Sequence, residues 1–393
     1  MANLLVFIIA LFIIAAFLRV NFFFYILYIL FGTYLFARIW TQRASRNLTC
    51  QRSFEKRAFL GERVTVNLDV VNQGLLPIPW VRVNESLPIR LVAPNFFRKV
   101  LSLPPKGRAF LSYQLTGRYR GYYPIGPLSL DTGDVWGIET RERTTPEVQH
   151  LTVYPKIVPL EKLTLPSKSP IGTLRSKEPI FQDPSRVIGV RDYTPGDSLR
   201  LINWKTTANV GRLQVKQLEP AISVETAIFL NLNTQEYDTK RALEATELGI
   251  VAAASLANHV IALRQAVGLS TNGADPLAAA GQAITLPPRK ERAHLMRILD
   301  VLARIQASET FPFTQLLRQE SLNLSWGVTL LVITSDETQE LFNTLFPLRR
   351  AGFHVVLLFT DSRGDFAPTK GRAESLGFGA WRIRTEKDLQ SLG

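Results

Sequence analysis

Two apolar runs open the chain. Leu4–Leu18 is unbroken, and Phe22–Ala37 is interrupted only by Gly32 and Thr33, with Arg19-Val20-Asn21 between them. Each run is about 15–16 residues, short of the ~20 that a ~30 Å hydrocarbon layer needs. The flanks extend their reach: Arg19 and Arg38 can snorkel, and Tyr25, Tyr28, Tyr34 and Trp40 suit the interfacial belt. The pattern predicts an N-terminal two-helix transmembrane hairpin over 1–40, with a re-entrant hairpin as the alternative. No basic n-region or Ala-x-Ala site marks a signal peptide.

Beyond it the period changes. Val64, Val66, Leu68 and Val70 alternate with Thr65, Asn67 and Asp69, and Asn72-Gln73-Gly74 ends that run as a turn. Trp80–Val83, Phe110–Leu115 and Leu128–Leu130 repeat the theme, punctuated by prolines that cannot sit in central strands. Residues 58–150 therefore read as a β-sandwich-like domain, preceded by a basic juxtamembrane segment at 41–57 and followed by a connector at 151–218. From 219 to 393 short apolar runs (Glu225–Leu230, Val267–Ser270, Val328–Thr334, Val355–Phe359, Ala380–Arg384) alternate with helical stretches (Lys240–Arg264, Lys290–Ile305, Glu337–Arg350). That alternation predicts an α/β domain with a parallel sheet covered on both faces. In the first of those helices Leu243, Leu248, Val251, Leu256 and Val260 are the expected buried positions.

Composition sharpens this picture in two places. The chain has 393 residues and a net charge of +13. Arg38, Arg43, Arg46, Arg52, Lys56 and Arg57 directly follow the apolar runs, against Glu55 alone. That position points to the membrane surface and, by the positive-inside rule, puts the two-pass hairpin's C-terminal domains in the cytoplasm. No zinc-finger or RNA-binding pattern accompanies the charge, so nucleic acid is not an expected partner. The one cysteine, Cys50, rules out an intrachain disulfide and leaves a juxtamembrane thiol that lipid could acylate.

Chemistry concentrates in Arg191–Lys205. Thr194-Pro195-Gly196-Asp197 is a turn in which proline sets φ and glycine accepts a positive φ. Asp197 is placed to cap a helical turn at Ser198–Ile202, flanked by Arg191 and Arg200. Tyr193 and Trp204 add amphipathic rings, and Lys205 another cation. Two readings stand: the cluster pins the connector onto the α/β domain, or it offers arginines and aromatics to a partner. An anion-binding active site of Asp197, Arg191, Arg200 and Lys205 would lack an evident nucleophile with its base. No P-loop, dinucleotide fingerprint or nucleophile elbow occurs, and His150, His259, His294 and His354 show no metal spacing.

Arg191, Tyr193, Gly196, Asp197, Arg200, Ile202, Trp204, Lys205 and Ala208 resemble the signature of the bacterial "domain of unknown function 58" family. Asn209 stands where that family usually has an arginine. Arg120-Gly121-Tyr122-Tyr123 and Asp134-Val135-Trp136-Gly137 are similar to further family phrases. The resemblance implies two N-terminal membrane helices, a β-rich segment and a C-terminal domain similar to von Willebrand factor A. It also implies residence in the bacterial cytoplasmic membrane and a MoxR-type AAA+ ATPase as partner. Von Willebrand A-like domains can hold Mg²⁺ through an Asp-x-Ser-x-Ser motif and a second aspartate. Asn231, Asn233 and Gln235 replace the first motif here, and Asp336 matches the second aspartate one residue out of register. Asn231, Asn233 and Asp336 are thus a degenerate candidate metal site, and no cofactor is expected. The expected function is a membrane-anchored, non-enzymatic interaction or scaffold protein. The alternative is a membrane-proximal metal- or anion-dependent hydrolase.

Overall fold

The computed structural model describes residues 6, 9–10, 12–14, 21–92, 97–160, 182–194, 199–220, 225–279, 281–360 and 366–390. The chain forms two compact units. The first comprises Met1–Lys156 with Leu299–Ile305, and the second Ile157–Ile298 with Gln306–Gly393.

In the first unit most of the first apolar run lies outside the described residues; Val6, Ile9, Ala10 and 12–14 within it are helical. The second run is helix α1 (Asn21–Arg46). Its portion Phe24–Arg46 is long and apolar enough to cross a membrane. The helix does not stop near residue 40. It continues through the first third of the stretch expected to be juxtamembrane, because Arg38, Arg43 and Arg46 are good helix formers and because its last turns have a surface to pack on. Ala37, Thr41 and Ala44, at i, i+4 and i+7, are buried. Trp40 donates from Nε1 to the Pro77 carbonyl.

The β-structure begins at 48 rather than 58. Its strands are β1 (Leu48–Ser53), β2 (Arg57–Phe59), β3 (Arg63–Asn72), β4 (Ile78–Glu85), β5 (Leu91–Val92), β6 (Phe97–Leu103), β7 (Arg108–Gly117), β8 (Gly121–Ile125), β9 (Leu128–Gly133), β10 (Thr140–Thr145) and β11 (Gln149–Tyr154). They pair as β1-β3-β7-β5, β10-β9-β4-β6 and β2-β11-β8. The period-2 reading of β3 is met: Val64, Val66, Leu68 and Val70 all face one core with Val81, Val83, Leu115 and Leu130. Gly121 is required by close approach, since a Cβ there would lie 2.7 Å from the Tyr123 ring. Arg120 donates from Nη1 to the carbonyls of Leu302, Ala303 and Ile305, which belong to the same unit.

That core contains one charged cluster. Arg52 pairs with Glu85, and the Tyr113 hydroxyl donates to the same carboxylate. Both side chains of the ion pair are sealed off, at 5% and 0% exposure. Arg52 therefore does not belong to the surface-facing basic cluster, which corrects the expectation for 38–57. Cys50, one strand position earlier in the same direction, packs against this core. Burial, reinforced by the carboxylates of Glu85 and Asp69, pushes its thiol up to about 12.

The second unit opens with β12 (Gln182–Asp192), α2 (Trp204–Val210) and β13 (Gln214–Pro220). Then follow β14 (Glu225–Leu230), α3 (Ala242–Ala262), β15 (Ala266–Thr271), β16 (Ile284–Arg289), α4 (Arg292–Arg304, which from Leu299 on belongs to the first unit), α5 (Phe313–Glu320), β17 (Thr329–Thr334), α6 (Gln339–Arg350), β18 (His354–Thr360), α7 (Ala367–Ser375), β19 (Gly379–Ile383) and α8 (Glu386–Gln390). The sheet order is β16-β15-β14-β17-β18-β19, the doubly wound 3-2-1-4-5-6 pattern. The sheet is mixed, correcting the parallel expectation. β16 runs antiparallel to β15 at the edge, where its Pro287 and Pro288 are tolerated. The apolar strands β14, β17 and β18 are buried on both faces, as near-continuous hydrophobic runs should be.

Helix α3 passes the same length and apolarity test as α1, yet it is a core helix. Its buried face is Ala245, Gly249, Ile250, Ala252, Ala253, Leu256, Ala257 and Val260, whereas Leu243 is 74% exposed. Small residues let the helix axis approach the sheet. A Cβ on Gly249 would already stand 3.3 Å from the Leu230 side chain.

The Cys50 environment sets a measurable reactivity. Alkylation of Cys50 in the folded full chain at pH 8 should be on the order of 10³-fold slower than after denaturation, since only the thiolate reacts. The rate should rise as pH approaches 12. Equal rates in the folded and unfolded chain would contradict this burial.

Candidate functional site

The signature lies on a two-stranded antiparallel ribbon of its own, β12 with β13. Pro195, Gly196, Asp197 and Ser198 lie outside the described residues, as does the side chain of Arg200. The expected capping of Ser198–Ile202 by Asp197 falls there too. The observed 3-10 turn is Leu199–Leu201. The helix that follows is capped by Asn203, whose side chain accepts from the Thr206 N–H, and it closes on Gly211 in the left-handed region at φ 71°.

Local sequence explains how the ribbon end holds its shape. Ile202 turns inward: it is 6% exposed and bridges to Val215. Asn203 donates its backbone N–H to Gln214 O, Tyr193 does so to Leu213 O, and Gln214 N–H donates to the Thr207 hydroxyl. The Gln214 side-chain amide donates to Asp192. Arg191 donates to the Asp192 carbonyl and the Thr194 hydroxyl. With Ile202 pinned inward, Trp204 is thrown outward at 68% exposure, beside Leu199 at 68% and Val210 at 56%. Helix α2 buries none of its residues. Tyr193 is half-buried and Lys205 exposed. The structure thus places Arg191, Tyr193, Trp204 and Lys205 on one short, internally bonded ribbon end. The sequence already offers Trp204 as a partner-facing ring, but not the exposed Leu199 and Val210, because the inward anchor Ile202 is recognisable only once β13 is paired beside it.

The second candidate lies where the order of the six-stranded sheet reverses, between β14 and β17. Ligands of doubly wound sheets bind at the carboxyl ends of the strands flanking this point. Asn231 and Asn233 follow β14 directly and are buried, at 0% and 2% exposure. The carboxylate of Glu236 sits between them. Asn231 Nδ2 donates to Glu236 Oε2 at 2.8 Å and to the Thr334 hydroxyl at 3.0 Å. Asn233 Nδ2 donates to Glu236 Oε1 at 3.2 Å, and the Phe313 N–H donates to the same oxygen at 2.9 Å. The amide oxygens are occupied as well. Asn231 Oδ1 accepts from Asn233 N–H and Asn272 Nδ2, and Asn233 Oδ1 from Gln235 N–H. The buried Tyr237 hydroxyl donates to the Asn231 carbonyl at 2.6 Å, and burial pushes that phenol above its ordinary range. Asp336 turns both oxygens to Thr338, accepting from its N–H at 2.8 Å and its hydroxyl at 2.9 Å.

This donor set does not fit a divalent cation. A hard cation needs converging oxygens, with one or two carboxylates. Here two amide N–H₂ groups converge instead, and they converge on a carboxylate of the chain itself. Among the described residues no group of three His, Cys, Asp or Glu is placed to hold a metal.

The family described as "Protein of unknown function DUF58" matches residues 189–373. That span begins within the ribbon and ends in α7, and it contains the Arg191–Ala208 signature that resembles the same family. The uncharacterized protein YeaD of Bacillus subtilis (strain 168) is 25% identical over 281 residues, covering 70% of this chain and 67% of that protein. Among solved structures, an aerotolerance-related membrane protein from Bacteroides fragilis is 15% identical, covering 43% of this chain and 95% of that one at a TM-score of 0.30. A von Willebrand factor type A protein from Catenulispora acidiphila is 12% identical, covering 45% and 42% at a TM-score of 0.31. The fold assignment rests on the strand order above, to which likenesses of that size add nothing.

The amide–carboxylate cluster makes a clear prediction. Glu236→Ala leaves three donors without their acceptor and should lower stability by about 1–3 kcal/mol, read as a lower denaturation midpoint. Millimolar Mg²⁺ or Mn²⁺ should leave the wild-type midpoint unchanged. Asn231→Asp sets a second carboxylate against Glu236, and its midpoint should rise when Mn²⁺ is added.

Proposed function

We propose that this chain is a membrane-anchored, non-enzymatic interaction protein whose β12–β13 ribbon end is gripped by another protein. The N-terminal runs anchor it as a two-pass hairpin in the bacterial cytoplasmic membrane. Arg38, Arg43 and Arg46, directly after the apolar run, support a cytoplasmic location for the two units. The resemblance implies that the partner is a MoxR-type AAA+ ATPase.

The observation that carries this reading is the outward Trp204. Tryptophan, tyrosine and arginine are the side chains that most often dominate binding energy at protein interfaces. Here a tryptophan is held on a short helix with a side-chain cap and a glycine stop. Such a ring loses little freedom on binding, so more of its burial appears as affinity. Exposed cations of the same segment, Lys205 and Arg212, would complement an acidic partner surface and speed encounter.

Capture from solubilised membranes tests this. The wild-type chain should retain an ATPase, and Trp204→Ala with Arg200→Ala should weaken retention by about 2 kcal/mol or more, roughly thirtyfold. Because Trp204 is a surface residue, thermal unfolding of that variant should shift by no more than about 0.5 kcal/mol. Undiminished retention by the variant, or no retained ATPase with the wild type, would remove the support for this reading.

A further inference from the structure

The turn between β9 and β10 is not used by the reading above, yet it is built to present two large apolar side chains. Val135 is 72% exposed and Trp136 59%. Their outward pose is enforced. The Asp134 carboxylate accepts from the N–H groups of Trp136 at 3.0 Å and Glu139 at 2.7 Å. Gly137 takes φ 73°, where a side chain would be strained. The Asp134 carbonyl accepts from Trp80 Nε1 at 3.0 Å. A turn tied at three points does not fold its apolar tip back onto the domain.

Its position says what covers it. The Trp136 ring lies 6.4 Å from that of Phe36, which in turn lies 5.2 Å from Trp40. Phe36 is the last residue of α1 before the face that the sandwich buries, which begins at Ala37. The turn therefore stands at the height where the helix leaves the folded domain. From Asn21 to Phe36 the helix rises only about 24 Å at 1.5 Å per residue. A hydrocarbon layer of ~30 Å that starts at the polar Arg19–Asn21 break extends past Phe36. It thus reaches the level of Trp136.

We infer that the Asp134–Gly137 turn is a second membrane contact, with Val135 and Trp136 seated in the interfacial layer of the same bilayer that α1 enters. The inference rests on α1 entering a membrane, and its occupant is lipid. Tryptophan is at home at this depth, with an apolar body and one polar N–H. The exposed Arg38, one residue past Phe36 and its neighbour Ala37, offers a cation to the headgroups. The contact holds the sandwich, and the helix rigidly joined to it, at one tilt against the bilayer surface.

The test uses the full chain in lipid nanodiscs, in a Cys50→Ala background, with an environment-sensitive fluorophore at one introduced cysteine. The sites are Val135→Cys and Trp136→Cys in the turn, Phe31→Cys on α1 and Arg63→Cys at the far end of β3, about 30 Å from Asn72 at ~3.4 Å per residue. Labels at 135, 136 and 31 should be blue-shifted, quenched by nitroxide-bearing lipid and shielded from iodide, with 63 showing the reverse. Lipid quenching at 31 but not at 135 and 136 overturns the turn contact while the membrane span stands. A label at 135 or 136 shielded from iodide yet untouched by lipid quencher assigns the turn to a protein surface and also overturns it. No lipid quenching at 31 removes the span and the inference together.

Discussion

One guanidinium joins the long apolar helix α1 to the folded body. Arg143, on the edge strand β10, donates from Nη1 to the carbonyls of Ser45, Arg46 and Leu48 at 2.9–3.2 Å. A helix leaves its last carbonyls without partners, and here the first strand begins two residues after the helix ends. No glycine stop fits between Arg46 and Leu48, so the orphan acceptors are met by a charged donor from the other sheet. Bonds to a charged group are each worth roughly 1.5–3 kcal/mol. Together with the buried face of Ala37, Thr41 and Ala44, they make α1 and the sandwich one object. The position of the sandwich's loops along the helix axis follows from that rigid union.

The net charge of +13 has to be read through the same geometry. Position along the chain groups Arg52 with Arg38 and Arg43, but pairing separates them. Arg52 lies in β1, whose residues alternate between core and surface opposite β3, and its guanidinium goes to Glu85. Breaking such a pair by removing one partner costs far more than a surface bridge contributes. Burial, reinforced by that carboxylate, raises both Cys50 and Tyr113. Cys50 is thereby a poor nucleophile for acylation, although its sequence position next to an apolar run suggested one.

Period and length made the larger elements legible. The alternation in 64–70 and the buried runs at 225–230, 329–334 and 354–360 were readable because burial repeats at the strand period or fills both faces. The edge strand β16 was not. Its Ile284-Thr285-Leu286 pattern is short and runs into two prolines, a combination that only an edge position admits. Helix α3 was recognised with Leu256 and Val260 buried as expected, but Leu243 is exposed and the alanines and Gly249 that fill most of the buried face went unnamed, since leucines draw attention where close helix–sheet approach selects small residues. At the switch point the substitution of amides for a carboxylate and serines was visible at Asn231 and Asn233. That Glu236 supplies the missing negative charge from inside the chain was not, because it depends on how the loop after β14 turns Glu236 back onto Asn231 and on the Phe313 N–H arriving from a distant segment.

The signature run shows why such a motif is hard to interpret from residue types alone. Arg200-Leu201-Ile202-Asn203-Trp204-Lys205 contains an inward anchor, a helix cap and an outward ring, each with a different job, and spacing does not distinguish them. Ile202 is required for the ribbon end to have a core, and Asn203 for α2 to start. Neither needs Trp204. A tryptophan at 68% exposure forgoes most of the roughly 25 cal/mol per Å² that burying its ring would return on folding. Folding therefore does not explain the residue at that position. The gain is available only when a second surface closes over it, and the stiff frame beneath the ring keeps it ready for that surface.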